Sequence, residues 1–394
     1  MPSRLSWRRL VEQIHLWVGL LLCVPLVTLG LTGSVLVFAD ELRALLEPAG
    51  SHGTTAGAQR NVAEIVEAAR STAPAGFVPT FYRAPREPGG PALVRLVPGS
   101  RSGAASESSQ IRVDPVSLAA VAEPPQGDLL RRLFLLHANL LMPGAGRQIV
   151  GWFGIAMLAL GISGLVNWWP RPRSWRSAFV IRKGARGVRL NRDLHGAVGI
   201  WGIAVFMVVS FSGVYLAFPQ TVRAVVASVL PARDLRAAAT AIRVEPRQDV
   251  APLGVDDAIA LARAEIGDLT IGVVFLPARP DQPYRIGVLQ PGRGAGAPMV
   301  TVFVDPWRRR VVEILDPRSF TAGETFLAWQ HALHAGEGLG WLWKGLVAIA
   351  GLLPLLFAAT GISMWWLKRR NRRARAASRS RSSDRLYAAP GTEK

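Results

Sequence analysis

Four long apolar runs constrain the fold more than any other feature of the sequence. Each is long enough for a helix to cross the roughly 30 Å hydrocarbon core of a bilayer, and none is interrupted by a charged residue. A soluble protein rarely buries four helices of this length, so the sequence predicts an α-helical membrane protein with four spans. The runs occupy residues 16–38, 149–169, 198–218 and 346–367.

The basic charge is concentrated on one side of these runs. The net charge is +19, and residues 1–14, 170–194 and 367–394 together hold 21 Lys and Arg against 4 Asp and Glu. The rest of the chain, with 25 basic and 23 acidic residues, is nearly neutral. This distribution predicts membrane lipid as a partner, not nucleic acid. It also places both termini in the cytoplasm by the positive-inside rule.

The chain repeats its own pattern. The first span opens on a histidine followed by glycines 4 and 18 residues later, and the third span repeats this 180 residues on. A second register of 197 residues relates the ends of the second and fourth spans. Because the odd spans both run outward, we expect a parallel duplication about an axis along the membrane normal. The paired positions are His15 with His195, Gly19 with Gly199, Gly33 with Gly213, His137 with His334, and Arg147 with Lys344.

Each outer segment has the pattern of a small α+β domain. Apolar residues at helical spacing predict helices over residues 61–70 and 255–266. Short alternating runs then predict strands, each set ending near a Val-Asp-Pro turn. The predicted strands are 78–83, 92–97 and 110–113 in the first copy and 271–276, 284–289, 299–304 and 311–314 in the second.

Five of the six histidines stand at repeat-related ends of the spans. One such histidine alone is explained by capping or by a place at the membrane interface. Four that recur between the copies favour a ligand role, because neutral imidazoles on facing helices hold haem iron or other metals. The repeat predicts His15 opposite His195 near the cytoplasm and His137 opposite His334 near the outer face. Two planar cofactors at these places would form a route for electrons.

Other residues near these histidines have two interpretations each. The four glycines would let a flat ring approach the backbone, or would let helices pack closely. Arg147 and Lys344 would pair with cofactor propionates, or would only flank the spans. His331 lies one helical turn before His334, and with Glu337 it has spacing compatible with a zinc or iron site, although the HExxH arrangement of metallopeptidases is absent.

Several motifs together resemble those of the PepSY-associated transmembrane proteins of bacterial inner membranes. This group includes iron-regulated membrane proteins and ferric-siderophore reductases. The resemblance extends from His15 to Lys368 and rests on the combination of motifs. They are the His15 and Gly19 pair with the TGSVLVF end of the first span, LHANLL from Leu136, the Val-Asp-Pro turns and the Trp-Trp ends of the even spans.

The resemblance implies an inner-membrane protein with two periplasmic PepSY-like domains and two b-type haem groups. By residue, it implies haem ligands at His15, His137, His195 and His334, with His331 in the same outer motif. Electrons would move outward to reduce Fe(III) held by a siderophore. The sequence has no recognisable flavin or nicotinamide motif, so we expect a separate cytoplasmic reductase or quinol as the donor.

Two other functions fit parts of the sequence. A non-redox protein would use its PepSY-like domains to bind a peptidase or envelope partner, with interfacial histidines. A metal or solute permease would load metal at His331 and His334, but the uncharged spans count against it.

The predicted order is a cytoplasmic N-terminus (1–15), span (16–38), periplasmic PepSY-like domain (39–132), interfacial His segment (133–146), span (147–169), basic cytoplasmic loop (170–194), span (195–218), second periplasmic PepSY-like domain (219–325), interfacial His segment (326–342), span (343–367) and disordered basic tail (368–394).

Overall fold

A computed structural model describes residues 7–46, 57–86, 89–99, 108–122, 129–170, 172–267, 270–294 and 296–387. The chain divides into two compact units. The helical unit comprises Met1–Val37, Leu136–Ala217 and Gly345–Lys394, and the sheet unit comprises Phe38–Leu135 and Phe218–Lys344.

Thirteen α-helices occur in the described residues. They are α1 Trp7–Leu21, α2 Cys23–Leu36, α3 Ala39–Leu46, α4 Val62–Thr72, α5 Leu129–Asn139, α6 Gly146–Trp168, α7 Trp175–Ala178, α8 Gly187–Ala217, α9 Pro219–Ala227, α10 Leu235–Ala241, α11 Val255–Ile266, α12 Ala322–Ala335 and α13 Gly340–Tyr387.

Three of these helices are long and apolar enough to cross a membrane by themselves. They are α6, α8 and the stretch Gly340–Ala376 of α13. The prediction of one continuous helix over 16–38 is wrong, because α1 and α2 meet at a 67° bend and make a fourth span only if the pair is counted as one. Pro25 explains the break: it has no N–H to donate, and its ring clashes with the carbonyl of Leu21, where α1 ends.

The last helix also differs from its predicted extent. The sequence predicted a disordered tail over 368–394, but α13 continues to Tyr387. Its final part is rich in Ala and Arg, which are strong helix formers, and has no Gly or Pro from 362 to 387. Residues 388–394 lie outside the described residues, so the prediction for them is untested.

Small residues bring helices of the helical unit close together. A Cβ on Gly30 of α2 would lie 2.3 Å from the Gly351 carbonyl oxygen of α13, and one on Gly351 would lie 2.7 Å from the Gly30 carbonyl oxygen. Ser34 donates a hydrogen bond of 2.7 Å to the Ala348 carbonyl at the same crossing. Close backbone approach through glycine is a usual way for membrane helices to associate.

The described residues of the sheet unit contain an antiparallel sheet of eight strands: β1 Phe77–Arg83, β2 Ala92–Pro98, β3 Ser109–Val113, β4 Ala120–Ala122, β5 Ile271–Phe275, β6 Tyr284–Val288, β7 Val300–Asp305 and β8 Arg310–Leu315. Their order in the sheet is β4-β3-β2-β1-β5-β6-β7-β8. The sequence predicted two separate α+β domains, but the two sets of four strands join through β1 and β5 into one sheet. This pairing satisfies the backbone groups that two strand edges would otherwise leave open.

One face of the sheet forms the core with α4 and α11. Alternate strand residues such as Val94, Ile111, Val274 and Ile286 are fully buried there, in one cluster with the apolar faces of the two helices. Ala69 of α4 is likewise fully buried in this cluster. The core is therefore continuous across both copies of the repeat.

The opposite face of the sheet has a ladder of stacked side chains at the joint between the copies. Phe81 pairs with Phe275 across β1 and β5, with ring centroids 5.0 Å apart. The guanidinium of Arg95 lies 4.9 Å from the centroid of Phe81, and that of Arg285 lies 4.2 Å from the centroid of Phe275. Cation–π contacts thus extend the aromatic pair on both sides.

Candidate functional site: histidines of the helical unit

His15 on α1 and His195 on α8 lie next to each other in the helical unit. Their ring centroids are 6.2 Å apart and their planes are inclined by 69°. Both side chains are half-buried. The structure thus brings together two histidines that the 180-residue repeat relates.

A hydroxyl group holds each of these rings. His15 Nδ1 lies 2.8 Å from Ser163 Oγ of α6, and His195 Nδ1 lies 2.8 Å from Thr360 Oγ1 of α13. Positions 163 and 360 differ by 197 residues, so the same contact recurs in both copies. Sequence reasoning missed these hydroxyls, although a Ser and a Thr at one register position was a signal that could have found them.

The hydrogen bonds determine the tautomer of both rings. Ser163 Oγ lies 2.7 Å from the Ala159 carbonyl oxygen, and Thr360 Oγ1 lies 2.7 Å from the Leu356 carbonyl oxygen. A carbonyl only accepts, so each hydroxyl donates its proton there and accepts from the histidine. Each Nδ1 is therefore protonated, and in the neutral imidazole the lone pair is on Nε2. Within the described part of the chain, neither Nε2 has a hydrogen-bond partner.

The glycines near this pair differ in what surrounds them. A Cβ on Gly164 would lie 3.3 Å from Cε1 of His15, so a side chain there would crowd the ring. Gly19 and Gly199 are less confined: their nearest neighbours, Leu160 and Phe357, lie at 4.0 and 3.6 Å, which is ordinary contact. Close helix packing within the helical unit therefore does not require glycine at 19 or 199.

His137 on α5 lies against α2. Its Nδ1 is 3.0 Å from the Leu29 carbonyl oxygen and 3.0 Å from Thr32 Oγ1. The carbonyl only accepts, so Nδ1 donates and the lone pair is again on Nε2. Burial lowers the pKa of His137, which keeps the ring neutral. A Cβ on Gly33 would lie 3.0 Å from Cε1 of His137, so glycine at 33 leaves room for this ring.

The turn after His137 has an unusual backbone. Leu140 and Leu141 adopt φ values of 55° and 58°, in the left-handed region that favours glycine. Each such residue costs on the order of 1 kcal/mol. At the end of the turn, a Cβ on Gly146 would lie 1.8 Å from the Asn139 carbonyl oxygen, so only glycine fits at the start of α6. This compact turn fixes the short helix of His137 beside the span.

His331 and His334 lie on α12, which belongs to the sheet unit. A capping box of Thr321 and Glu324 begins the helix, and Gly336 with φ of 73° ends it. His331 is exposed and His334 is half-buried. His137 and His334 fall in different units, so their predicted pairing stays a prediction from the repeat.

Glu337 lies beyond the end of α12 and is 3.3 Å from Nη1 of Arg86. The predicted face of His331, His334 and Glu337 is thus interrupted by the helix end at Gly336. Among the described residues, no group of three or more His, Cys, Asp or Glu could hold a metal ion.

The two flanking cations have protein partners. Arg147 donates from Nε to the Leu216 carbonyl at 3.1 Å, near the end of α8, where basic side chains are favourable. Lys344 pairs with Glu41, and its Nζ lies 5.0 Å from the ring centroid of Trp341. These contacts agree with the flanking interpretation of both residues.

The family profile described as PepSY-associated TM region matches residues 13–368. The chain belongs to this family. The matched region of the PepSY-associated transmembrane protein includes all five span-end histidines.

A curated protein of Pseudomonas aeruginosa, itself described as uncharacterized, is 37% identical over 82 residues. The aligned part is 21% of this chain and 20% of the relative. The chain therefore matches about a fifth of that relative's length, and family membership rests on the profile match.

Proposed function

We propose that this PepSY-associated transmembrane protein binds haem b and carries electrons across a bacterial inner membrane to ferric siderophores in the periplasm. The observation that supports this most is the pair of His15 and His195, with both Nε2 lone pairs available. The three basic segments support an orientation with both termini in the cytoplasm.

The donor set fits haem better than a bare metal ion. Structural zinc takes four protein ligands and catalytic zinc takes three, but the described residues hold no group of three potential ligands. Haem brings its own equatorial nitrogens, so the protein supplies only axial ligands. Two neutral imidazoles, each oriented by a hydroxyl, match that requirement.

The repeat supports a second haem. It relates His137 to His334, and we propose these as the ligands of an outer haem. His137 has the same protonated Nδ1 and lone pair on Nε2 as the first pair. His331, exposed on the same helix as His334, is then the candidate for contact with the substrate.

In this proposal the protein side chains position groups and make no bonds to substrate. When bound, haem b supplies a centre that takes up and releases one electron. Ser163 and Thr360 orient the imidazoles. A separate cytoplasmic reductase or quinol gives the electron, and Fe(III) in the siderophore receives it. Reduction weakens the complex, because hard oxygen ligands favour the more highly charged ion.

The visible spectrum of the purified protein tests haem binding. The full chain, expressed with a haem precursor and purified in detergent, is expected to show reduced b-type bands after dithionite. His195→Ala and His334→Ala should each remove part of these bands, whereas Thr28→Val, at a span hydroxyl bonded only to its own helix, should remove none. A colourless wild-type protein would disprove the proposal.

Reoxidation tests the acceptor. Protein reduced by dithionite and freed of excess reductant is mixed with a ferric hydroxamate siderophore. The bands should return to the oxidised form as Fe(II) appears in a chelator assay. His331→Ala should keep its haem and slow this reaction. If the siderophore leaves the reduced bands unchanged, another acceptor is required.

A further inference from the structure

The sheet unit contains a cavity that the histidines do not share. Its volume is about 240 Å³, and it lies on the face of the sheet opposite the core, between β5–β7 and α10. All of the residues that line it belong to the second copy. The electron-transfer proposal uses none of them.

Two arginines form the polar part of the lining. Arg285 extends from β6 and stacks on Phe275 at 4.2 Å, and its Nε is buried with no hydrogen-bond partner in the described part of the chain. Arg236 approaches from α10. None of the lining residues is Asp or Glu. Burial, and next the charge of Arg236, lower the pKa of Arg285, so the two cations repel each other in partly dry surroundings.

The rest of the lining is mostly apolar. Phe275 and Phe303 come from the sheet, Phe320 lies just before α12, and Met299 lies beside β7. Aromatic rings and a flexible thioether give a surface that suits a planar apolar group. Arg285 is half-buried and Arg236 is exposed, and a guanidinium binds carboxylate through charge-assisted hydrogen bonds.

We propose that this cavity binds a small aromatic carboxylate. The carboxylate lies between Arg285 and Arg236 and occupies the buried Nε of Arg285, and the aromatic ring lies against the phenylalanines. Binding relieves the repulsion between the two cations and gives the buried donor a partner. Convergent charge at one end of an apolar cavity is the usual composition of a small-molecule site.

The repeat provides a matched control. Arg95 stacks on Phe81 as Arg285 stacks on Phe275, with 4.9 Å between guanidinium and ring centroid, but Arg95 is not part of the cavity lining. A change at Arg95 therefore removes the same kind of cation from the same sheet face and leaves the proposed site intact.

Isothermal titration of the full chain in detergent with benzoate tests the site. We expect wild-type protein to bind benzoate, Arg285→Gln to raise the dissociation constant at least tenfold, and Arg95→Gln to leave it unchanged. Ala239→Phe fills the cavity from α10 without changing charge, and should also weaken binding at least tenfold. Melting curves of each variant check that the chain is folded, and Ala239→Phe keeps the test valid if Arg285→Gln unfolds.

Two neutral or smaller probes define the ligand class. Benzamide, which has the ring without the charge, and inorganic phosphate, which has charge without the ring, should each bind at least tenfold more weakly than benzoate. The proposal is overturned if millimolar benzoate does not bind, if Arg285→Gln and Ala239→Phe bind it as wild type does, or if phosphate binds equally well.

Discussion

The two copies of the repeat are alike at the histidines and different around them. His15 with Ser163 and His195 with Thr360 make the same 2.8 Å contact. The helices that present the two histidines differ, because the first is broken beside Pro25 and the second, with Val205 at the equivalent position, is continuous. The contact between the imidazole and its hydroxyl is therefore the same in both copies, although only one of the two helices is continuous.

The copies also differ in the sheet unit. In the described residues both copies have a helix, four strands and an arginine stacked on a phenylalanine, whereas α10 and the residues that line the arginine cavity are in the second copy. The second copy also begins α12 with buried Glu324, where the first copy has Gly127. Divergence is thus concentrated around the common framework, and substitutions at the differing residues and at the contacts between the copies measure what each contributes.

Val205→Pro has the largest expected effect. It places proline in α8 at the position equivalent to Pro25. The change removes the hydrogen bond from the backbone N–H of residue 205 to the Trp201 carbonyl and should destabilise the protein by about 3 kcal/mol or more. Thermal unfolding followed by circular dichroism in detergent measures the loss. Val205→Ala, which removes two methyl groups and keeps the N–H, should cost less. Equal melting temperatures for the two variants would show that Pro25 is not the cause of the bend.

Glu324 should make stability depend on pH in the acid range. Its carboxylate is buried, accepts a 2.6 Å hydrogen bond from Nε of Arg233, and that bond is the main reason its pKa falls to about 2. A carboxyl whose folded pKa is lowered stabilises the fold above its ordinary pKa of 4.5. That contribution is lost as pH falls through about 2.

The matching variant is Glu324→Gln. Loss of a buried charge-assisted bond should cost about 1–3 kcal/mol at pH 7. Urea unfolding at pH 7 and at pH 3 should show that the difference between wild type and variant narrows in acid. A difference that is constant across this range would mean that Glu324 acts only through the shape of its side chain.

Thr360→Val should weaken haem binding at the His195 side by about tenfold, as loss of a group that orients a ligand typically does. The histidine remains, but its Nδ1 loses the hydroxyl that fixes the tautomer. Haem titration of the apoprotein measures the change. Ser163→Ala should give an equal effect if the copies are equivalent, and Thr28→Val should give none. Unequal effects of Thr360→Val and Ser163→Ala would show that the two sides have diverged.

Asp256→Ala has the smallest expected effect. Asp256, in the second copy, accepts hydrogen bonds from the backbone N–H groups of Val62 and Ala63, at the start of the first copy's α4. Loss of such a cap costs about 1 kcal/mol. The control is Asp257→Ala, which removes a carboxylate that lies in the same first turn of α11 but does not bond to α4. If the two variants had equal free energies of unfolding, the hydrogen bonds from Asp256 to α4 would add no stability beyond the effect of a carboxylate on the dipole of α11.

Periodicity was sufficient to predict the two helices that pack on the sheet and seven of the eight strands in the described residues. The predicted helix over 255–266 has the observed bounds of α11, and the predicted strands lie within two residues of β1–β3 and β5–β8. These elements follow from local alternation of apolar and polar residues. The joining of β1 to β5 is a contact between distant segments, and no local pattern of the sequence encodes it.

The candidate site was predicted in part. The repeat gave His15 and His195 as partners, because equivalent residues meet across a twofold axis. Ser163 and Thr360 were missed, because a hydroxyl in a span usually bonds its own helix, and only their recurrence at one register position of the repeat marks them. Pro25 was visible within the first apolar run, but composition alone predicted a span there and gave no reason to divide it.

The stacked ladder across β1 and β5 has a consequence for the history of the chain. Phe81 faces Phe275, its own counterpart, as equivalent strands do when two identical subunits meet about a twofold axis. A chain with one copy would present this edge to a second chain, and the present protein contains that dimer within one polypeptide. In a homodimer every substitution appears on both sides of the axis. When both halves lie in one polypeptide, each can change by itself, and the residues that line the arginine cavity all lie in the second half.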